Sequence, residues 1–432
     1  MEDILIKNGQ VMLFEKTDVI LTKMDILISD GKIKKLEKCI NEKDNKKHII
    51  DATGKCIMPG LINMHTHLGM SVFRETSEGV GLQDWLSKII WPAEDKLKAD
   101  DVYYSTMLSY IEQISTGTTC TNDHYFFSDA IRRATEDSKS RAVLTRVLMD
   151  VDGNGETRLA QFKEFYDSRD NKNSLITYAI APHGLYTCTN EYLEKIHQLQ
   201  LKYNLPIHMH FLENSNEIQD IFKLNQKSAI ELLKKYFYND KLILAHGVKI
   251  EEKDIDELKK MDVTIVHNPV SNMRLGCKIA DITKYKMLGI NVALGTDGQG
   301  SGSNLDMFET MRLACLLQGG IHENEYKINA KEVIKMATIN AAKGLGLDEK
   351  IGSIEIAKCA DIILVDISPK VDNITILPNN DTISNIVYNL SGKNVDTTIV
   401  NGEILMENRK IKHIDVEEII KQCNEIAKKI IK

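Results

Sequence analysis

The feature that most constrains this chain is an alternation. Between residue 59 and about residue 350, strand-length apolar runs recur eight times, and helix-length amphipathic stretches separate most of them. The runs lie near 60–66, 118–123, 141–149, 174–182, 205–212, 241–246, 262–267 and 290–296. Parallel strands need long crossovers, so a β-α repeat of this kind argues for a parallel sheet covered by helices. Eight such units over roughly 300 residues suit a (β/α)8 TIM barrel with insertions, for which about 250 residues is typical.

The flanks read differently. Residues 1–58 carry short β-type runs at Ile4-Leu5-Ile6, Val19-Ile20-Leu21, Asp25–Ile28 and Lys32–Leu36, with hairpin signals at Asn8-Gly9 and Asp30-Gly31. After Gly352 the β pattern returns in Ala360–Val365, Ile383–Tyr388 and Thr397–Gly402, and residues 415–432 read as a final helix. A chain of 432 residues exceeds one core of ordinary thickness. The expected division is therefore an N-terminal part of a β-sandwich (1–58), a (β/α)8 barrel (59–351), and a C-terminal part of the same sandwich with its helix (352–432). Lys43–Lys47 reads as a solvated loop.

Chemistry concentrates where the barrel strands should end. Along Leu61-Ile62-Asn63-Met64-His65-Thr66-His67 the two-residue period of a strand puts His65 and His67 on one face. That pair alone is a weak signal, because two histidines satisfied in a core would look the same. The fifth run, however, ends in His208-Met209-His210-Phe211-Leu212-Glu213, the sixth in His246 and the eighth in Thr296-Asp297. Core filling gives no reason for polar groups to return at one topological level, whereas barrel enzymes keep their sites at the C-terminal ends of the strands. Nitrogen and carboxylate donors in this number suit a catalytic zinc.

Pro59–His67 resembles the first-strand signature of the amidohydrolase superfamily, and His210, His246 and Asp297 match its later histidines and aspartate in order. The resemblance runs over nearly the whole chain and is closest to the methylthioadenosine/S-adenosylhomocysteine deaminases. It includes Ala181-Pro182-His183, His210–Glu213, His267–Met273 and Ser303–Glu309. Guanine deaminases and s-triazine hydrolases are similar over several of the same stretches and form the alternative. A non-catalytic relative would have lost ligands, and none is missing here.

The resemblance implies one Zn2+ per chain, with iron as the other metal used by relatives, held by His65, His67, His210 and Asp297. Ile176–His183 contains no lysine to bridge a second metal. It implies hydrolytic attack at C6 of an adenine ring, with Glu213 giving a proton to N1. His246 would stabilise developing charge, and Asp297 would move the water proton to departing ammonia. His183 would hydrogen-bond the purine and Glu94 both ribose hydroxyls. Trp85 would face the sugar substituent or belong to the core. Arg146 and Arg158 occupy positions of arginines that approach a carboxylate on the substrate. His208 reads as a buried hydrogen-bonded histidine, while His124 and His267 stay between structural and supporting roles.

Bulk properties narrow the rest. With 62 acidic against 55 basic residues the net charge is −7, with no basic stripe for nucleic acid. No apolar run has membrane-spanning length, and the N-terminus lacks signal-peptide features. The eight cysteines form no CxxC pair. A cytoplasmic homo-oligomer acting on a small purine nucleoside is expected.

Overall fold

The computed structural model describes residues 2–15, 18–41, 48–322, 328–371, 373–374 and 381–430. The expected Lys43–Lys47 loop lies outside them.

All eight central runs are strands: β6 (Leu61–Thr66), β7 (Thr118–Asp123), β8 (Arg141–Leu144) with β9 (Val147–Leu148), β10 (Ile176–Tyr178) with β11 (Ala181–Pro182), β12 (Ile207–Phe211), β13 (Lys241–His246), β14 (Asp262–His267) and β15 (Asn291–Leu294). Neighbours pair in parallel as β6-β7-β8-β10 and β12-β13-β14-β15, and β9 pairs with β11. A bridge between Ile180 and Ile207 links the fourth run to the fifth. The eighth returns to the first: the Asp297 amide donates to the His65 carbonyl at 3.0 Å, and the Thr296 amide to Asn63 Oδ1 at 3.0 Å. Gly295 allows this approach, since a Cβ there would stand 2.9 Å from both the His65 amide nitrogen and its carbonyl oxygen. Every residue of β6, β7 and β12 is buried, the pattern of parallel strands covered on both faces.

Strands from the two ends of the chain share one sheet. β1 (Ile4–Glu15), β2 (Asp18–Ser29), β3 (Lys32–Glu37), β4 (His48–Asp51) and β5 (Lys55–Pro59) join β16 (Ile362–Asp366), β17 (Val395–Val400), β18 (Glu403–Glu407) and β19 (Lys410–Ile411). The order is β19-β18-β17-β16-β5-β1-β2-β3, with β4 also on β1. Ile33 of β3 and Ile399 of β17 stand far apart in that order yet pack in one apolar cluster, with Ile6, Ile28, Ile57 and Leu364. The sheet therefore curls back on itself. Asp30-Gly31 makes the expected turn, both residues having positive φ (51° and 74°).

Two expectations need correction. Asn8-Gly9 does not end a strand. β1 runs through it to Glu15, with a register shift against β2 between Ile6 and Gly9, so the pair makes a bulge and the Asn8 amide donates to Asp25 Oδ1 instead. Ile383–Tyr388 is not a strand but lies in a helix, Thr382–Tyr388. Asp381 caps it, accepting from the Ile383 amide at 3.0 Å, and Ile383, Ile386 and Val387 bury one helical face at i, i+3 and i+4. The final helix is as expected, Val416–Ile430 among the described residues.

The two parts are tied by a buried ion pair. Arg141, opening β8, donates Nε to Asp361 Oδ2 at 2.7 Å and Nη2 to Oδ1 at 3.0 Å, with both side chains at most 4% exposed. Asp361 also accepts from the Asn401 amide. Asp361→Ala leaves a guanidinium buried without its partner and should cost about 3–5 kcal/mol in equilibrium urea unfolding. A loss under about 1 kcal/mol, the worth of a surface pair, would show that the guanidinium finds water.

Candidate metal centre and active site

The strand ends bring His65, His67, His210, His246 and Asp297 together. Their bonding partners determine which nitrogens are available. His67 Nδ1 bonds the His124 carbonyl oxygen, and His210 Nδ1 bonds the His183 carbonyl oxygen at 2.8 Å. A carbonyl only accepts, so both rings carry the proton on Nδ1 and direct Nε2 inward. The two Nε2 atoms stand 3.4 Å apart. Two nitrogens bound to one tetrahedral zinc at about 2.0–2.1 Å are separated by about 3.3–3.4 Å, so this spacing is that of a shared metal. Asp297 Oδ1 lies 3.0 Å from His67 Nε2 and 3.5 Å from His65 Nε2. His65 Nε2 is fully buried and has no hydrogen-bond partner among the described residues, while its Nδ1 pairs with His208 Nε2 at 2.9 Å. The donor set His65, His67, His210 and Asp297 thus fits a divalent cation, with outer hydrogen bonds orienting each ligand.

Asp297 is itself held. Its Oδ2 accepts from Ser271 Oγ at 2.6 Å and Ser301 Oγ at 3.0 Å, and its Oδ1 from the Gly298 amide. Burial opposes its charge, but the His65 and His67 rings beside it hold its carboxyl well below the usual range. His67 shows the reciprocal effect: burial is outweighed by Asp297, and its pKa rises to about 9. Burial takes His65 down to about 4 and His183 to about 3.

Trp85, Glu94, His183, Glu213 and His246 line one cavity with His67, His210 and Asp297. Glu213 follows His210 by three residues, 3.7 Å from His246 Nδ1 and 3.5 Å from Cys277 Sγ. Burial, with the Asp297 charge adding to it, raises its pKa. Glu94 accepts from the Tyr125 hydroxyl at 2.7 Å, and burial raises it to about 7. Trp85, at the start of a π-helical turn, donates Nε1 to Thr76 and is both core and cavity wall. The Thr187 hydroxyl has one proton and two acceptors in reach, His183 Nδ1 and the Gly184 carbonyl, so His183 can present Nε2 as donor or acceptor.

Arg146 and Arg158, expected to approach a substrate carboxylate, are not among the residues lining this cavity. Arg158 grips Asp152, and Arg146 bonds Gln161 and the Val147 carbonyl. Several functional neighbours were missed in the sequence. Glu217 accepts from the amides of Leu212 and Glu213 (2.8 and 2.7 Å), holding Leu212 at φ 49°. Ser271 lay inside the quoted His267–Met273 stretch, and Glu217 sits in the first turn of the helix Ser215–Asn225, a usual place for an amide-capping carboxylate. His246 (φ 77°) and Asp297 (φ 63°) also have left-handed backbones, strain that gathers at functional sites.

Comparison with known proteins agrees with this geometry. The amidohydrolase family model matches residues 56–405, and the chain belongs to that family. It is similar to a 5-methylthioadenosine/S-adenosylhomocysteine deaminase of Thermoanaerobacter pseudethanolicus, 39% identical with 99% of each chain covered. A 5'-deoxyadenosine deaminase of Methanosarcina acetivorans is 36% identical, covering 100% of this chain and 99% of that one. Among solved structures, an adenosine deaminase from Xanthomonas campestris with bound zinc superposes with a TM-score of 0.93 at 26% identity, covering 99% and 98%. The chain is a metal-dependent hydrolase of this family.

Because a proton and a metal compete for His67 Nε2, metal loading below pH about 9 should release a proton. Affinity should fall by up to about tenfold per unit as pH drops from 8 to 6. Titration of zinc into chelator-treated protein in two buffers of different ionisation enthalpy checks this. Binding without proton release would place the metal elsewhere.

Proposed function

We propose that this chain is a zinc-dependent deaminase of the adenine ring of S-adenosylhomocysteine, 5'-methylthioadenosine or a related adenosine such as 5'-deoxyadenosine. The observation that carries the reading is the placement of two carboxyl groups in one cavity. Asp297 lies against His65 and His67, and Glu213, three residues past His210, stands 3.7 Å from His246 Nδ1. A reaction that removes a proton from water and delivers one to a ring nitrogen needs both. The relatives' names support the purine nucleoside as substrate class.

We read the eight parallel runs as a (β/α)8 barrel over residues 59–351, and the curled sheet from 1–58 and 352–432 as a β-sandwich beside it. His65, His67, His210 and Asp297 would hold the zinc, which when bound would supply the Lewis acidity that makes water nucleophilic near neutral pH. The protein does the rest. Glu94 binds the ribose hydroxyls, and His183 bonds the purine edge. Glu213 gives its proton to N1 as C6 becomes tetrahedral. Of the two protons of the attacking water, Asp297 passes one to the amino group, which leaves as ammonia, and the other, shed as the C6 carbonyl forms, restores the acid form of Glu213. His246 stabilises the charge that develops at the attacking oxygen. Its Nε2 is buried and has no other partner among the described residues, and Asn268 and Asn272 flank its Nδ1. All eight cysteines are free thiols, which supports a reducing compartment such as the cytoplasm. No described helix is long and apolar enough to cross a membrane.

Incubating the zinc-loaded protein with the three adenosines should release ammonia as adenine absorbance is lost, at one zinc per chain. Glu213→Gln should retain zinc and lose about 10²–10⁴-fold in kcat, whereas Asp297→Asn should lose both metal affinity and rate. Turnover of guanine or an s-triazine in place of the adenosines overturns the substrate class, and a near-normal kcat in metal-replete Glu213→Gln moves the proton donor elsewhere.

A further inference from the structure

Adenosine derivatives differ chiefly in what the 5′ carbon carries. In S-adenosylhomocysteine it carries an amino acid with a carboxylate, and in 5'-deoxyadenosine only hydrogen. Recognition of a buried carboxylate requires a cation or several donors aimed at it. The cavity offers little of this. Its wall includes Leu82, Leu86, Trp91, Phe126 and Met149; its acidic members are Glu94, Glu213 and Asp297; and no lysine or arginine is among its lining residues.

Two guanidiniums lie just behind that wall, and both are engaged. Arg158, on the helix Gly155–Asp167, donates Nη1 to Asp152 Oδ1 at 2.6 Å and Nη2 to Asp152 Oδ2 at 2.5 Å, a two-point fork. Its Nη1 also donates to the carbonyl of Met149, itself a wall residue, at 2.8 Å. The Arg158 side chain is 11% exposed. The Arg158 bond, the largest cause, holds the Asp152 carboxyl well below its ordinary value, so the fork is an ion pair throughout the physiological range. Arg146 donates to the Val147 carbonyl and to Gln161, and its guanidinium lies 5.3 Å over the Phe126 ring.

We infer that Asp152 is a specificity-determining residue. By gripping Arg158 behind the wall it withholds the cation that a carboxylate-bearing 5′ substituent needs, and so selects adenosines whose 5′ substituent is small and uncharged. The inference rests on the adenosine deaminase reading and narrows it. Asp152 touches none of the residues assigned to chemistry; its other bonds go to Asn154.

The test measures kcat/KM for 5'-deoxyadenosine, 5'-methylthioadenosine and S-adenosylhomocysteine in zinc-loaded wild type, Asp152→Ala and Asp152→Ala/Arg158→Met. Asp152→Asn serves as a milder variant that keeps the oxygen accepting from the Asn154 amide. Wild type should favour both uncharged substrates over S-adenosylhomocysteine by at least about tenfold, the worth of one missing charge-assisted hydrogen bond. Removing the Asp152 charge should raise kcat/KM for S-adenosylhomocysteine about tenfold while changing the other two less than about threefold. Adding Arg158→Met should abolish that gain. Wild type preferring S-adenosylhomocysteine, or Asp152 variants shifting all three substrates together, would overturn the inference and leave the deaminase reading standing. If none of the three is deaminated, that reading fails and the inference with it.

Discussion

The site depends on one seam, where the last parallel strand returns to the first. Asp297 carries both halves of it. Its amide donates to the His65 carbonyl and its carbonyl accepts from the Thr66 hydroxyl, while its carboxylate meets His65 and His67. The backbone bonds that close the strand array therefore set the spacing of the candidate metal donors. Gly295 allows the strands to come this close, and the Ser271 and Ser301 hydroxyls fix the carboxylate so that it need not rotate to serve. A side chain placed by a fold-closing contact is preorganised by the fold itself.

Burial then divides the work among chemically similar groups. Glu213, Glu94 and Asp297 are all carboxyls in one cavity. Burial raises the first two, and only Asp297 has histidine partners enough to overcome it. The histidines divide in the same way. His67 faces Asp297 and favours a positive charge, while His183 is kept neutral and hence able to bond a ligand through either tautomer.

Much of this was legible in the sequence, for identifiable reasons. The eight runs were readable because fully buried parallel strands leave uninterrupted apolar stretches, and His65, His67, His210, His246 and Asp297 because each breaks such a stretch at its end. Where the reading failed, two structures share one local pattern. Ile383–Tyr388 is rich in β-branched residues, which suit a strand, but its apolar residues also fall on one helical face, and packing decided for the helix. Asn8-Gly9 fits a two-residue hairpin and also a bulge, and pairing with β2, β4 and β5 selected the bulge. Arg146 and Arg158 could be placed near the site but not paired, because a residue's position carries no record of which neighbour holds its side chain. Asp152 reads as one more acid in a polar turn until the helix after it folds back.

The shared sheet bears on how the protein comes to be folded. β5, which ends just before the strand that carries His65, lies between β1 and β16 and pairs with both, so one of its edges is supplied by residues about three hundred positions later. During synthesis from the N-terminus, β1 to β5 can meet one another early but present an open edge until β16 emerges. Open edges invite pairing with other chains. Over that interval the nascent chain should be a better client for chaperones than the finished protein, and the final fifth of the sequence is what ends the exposure.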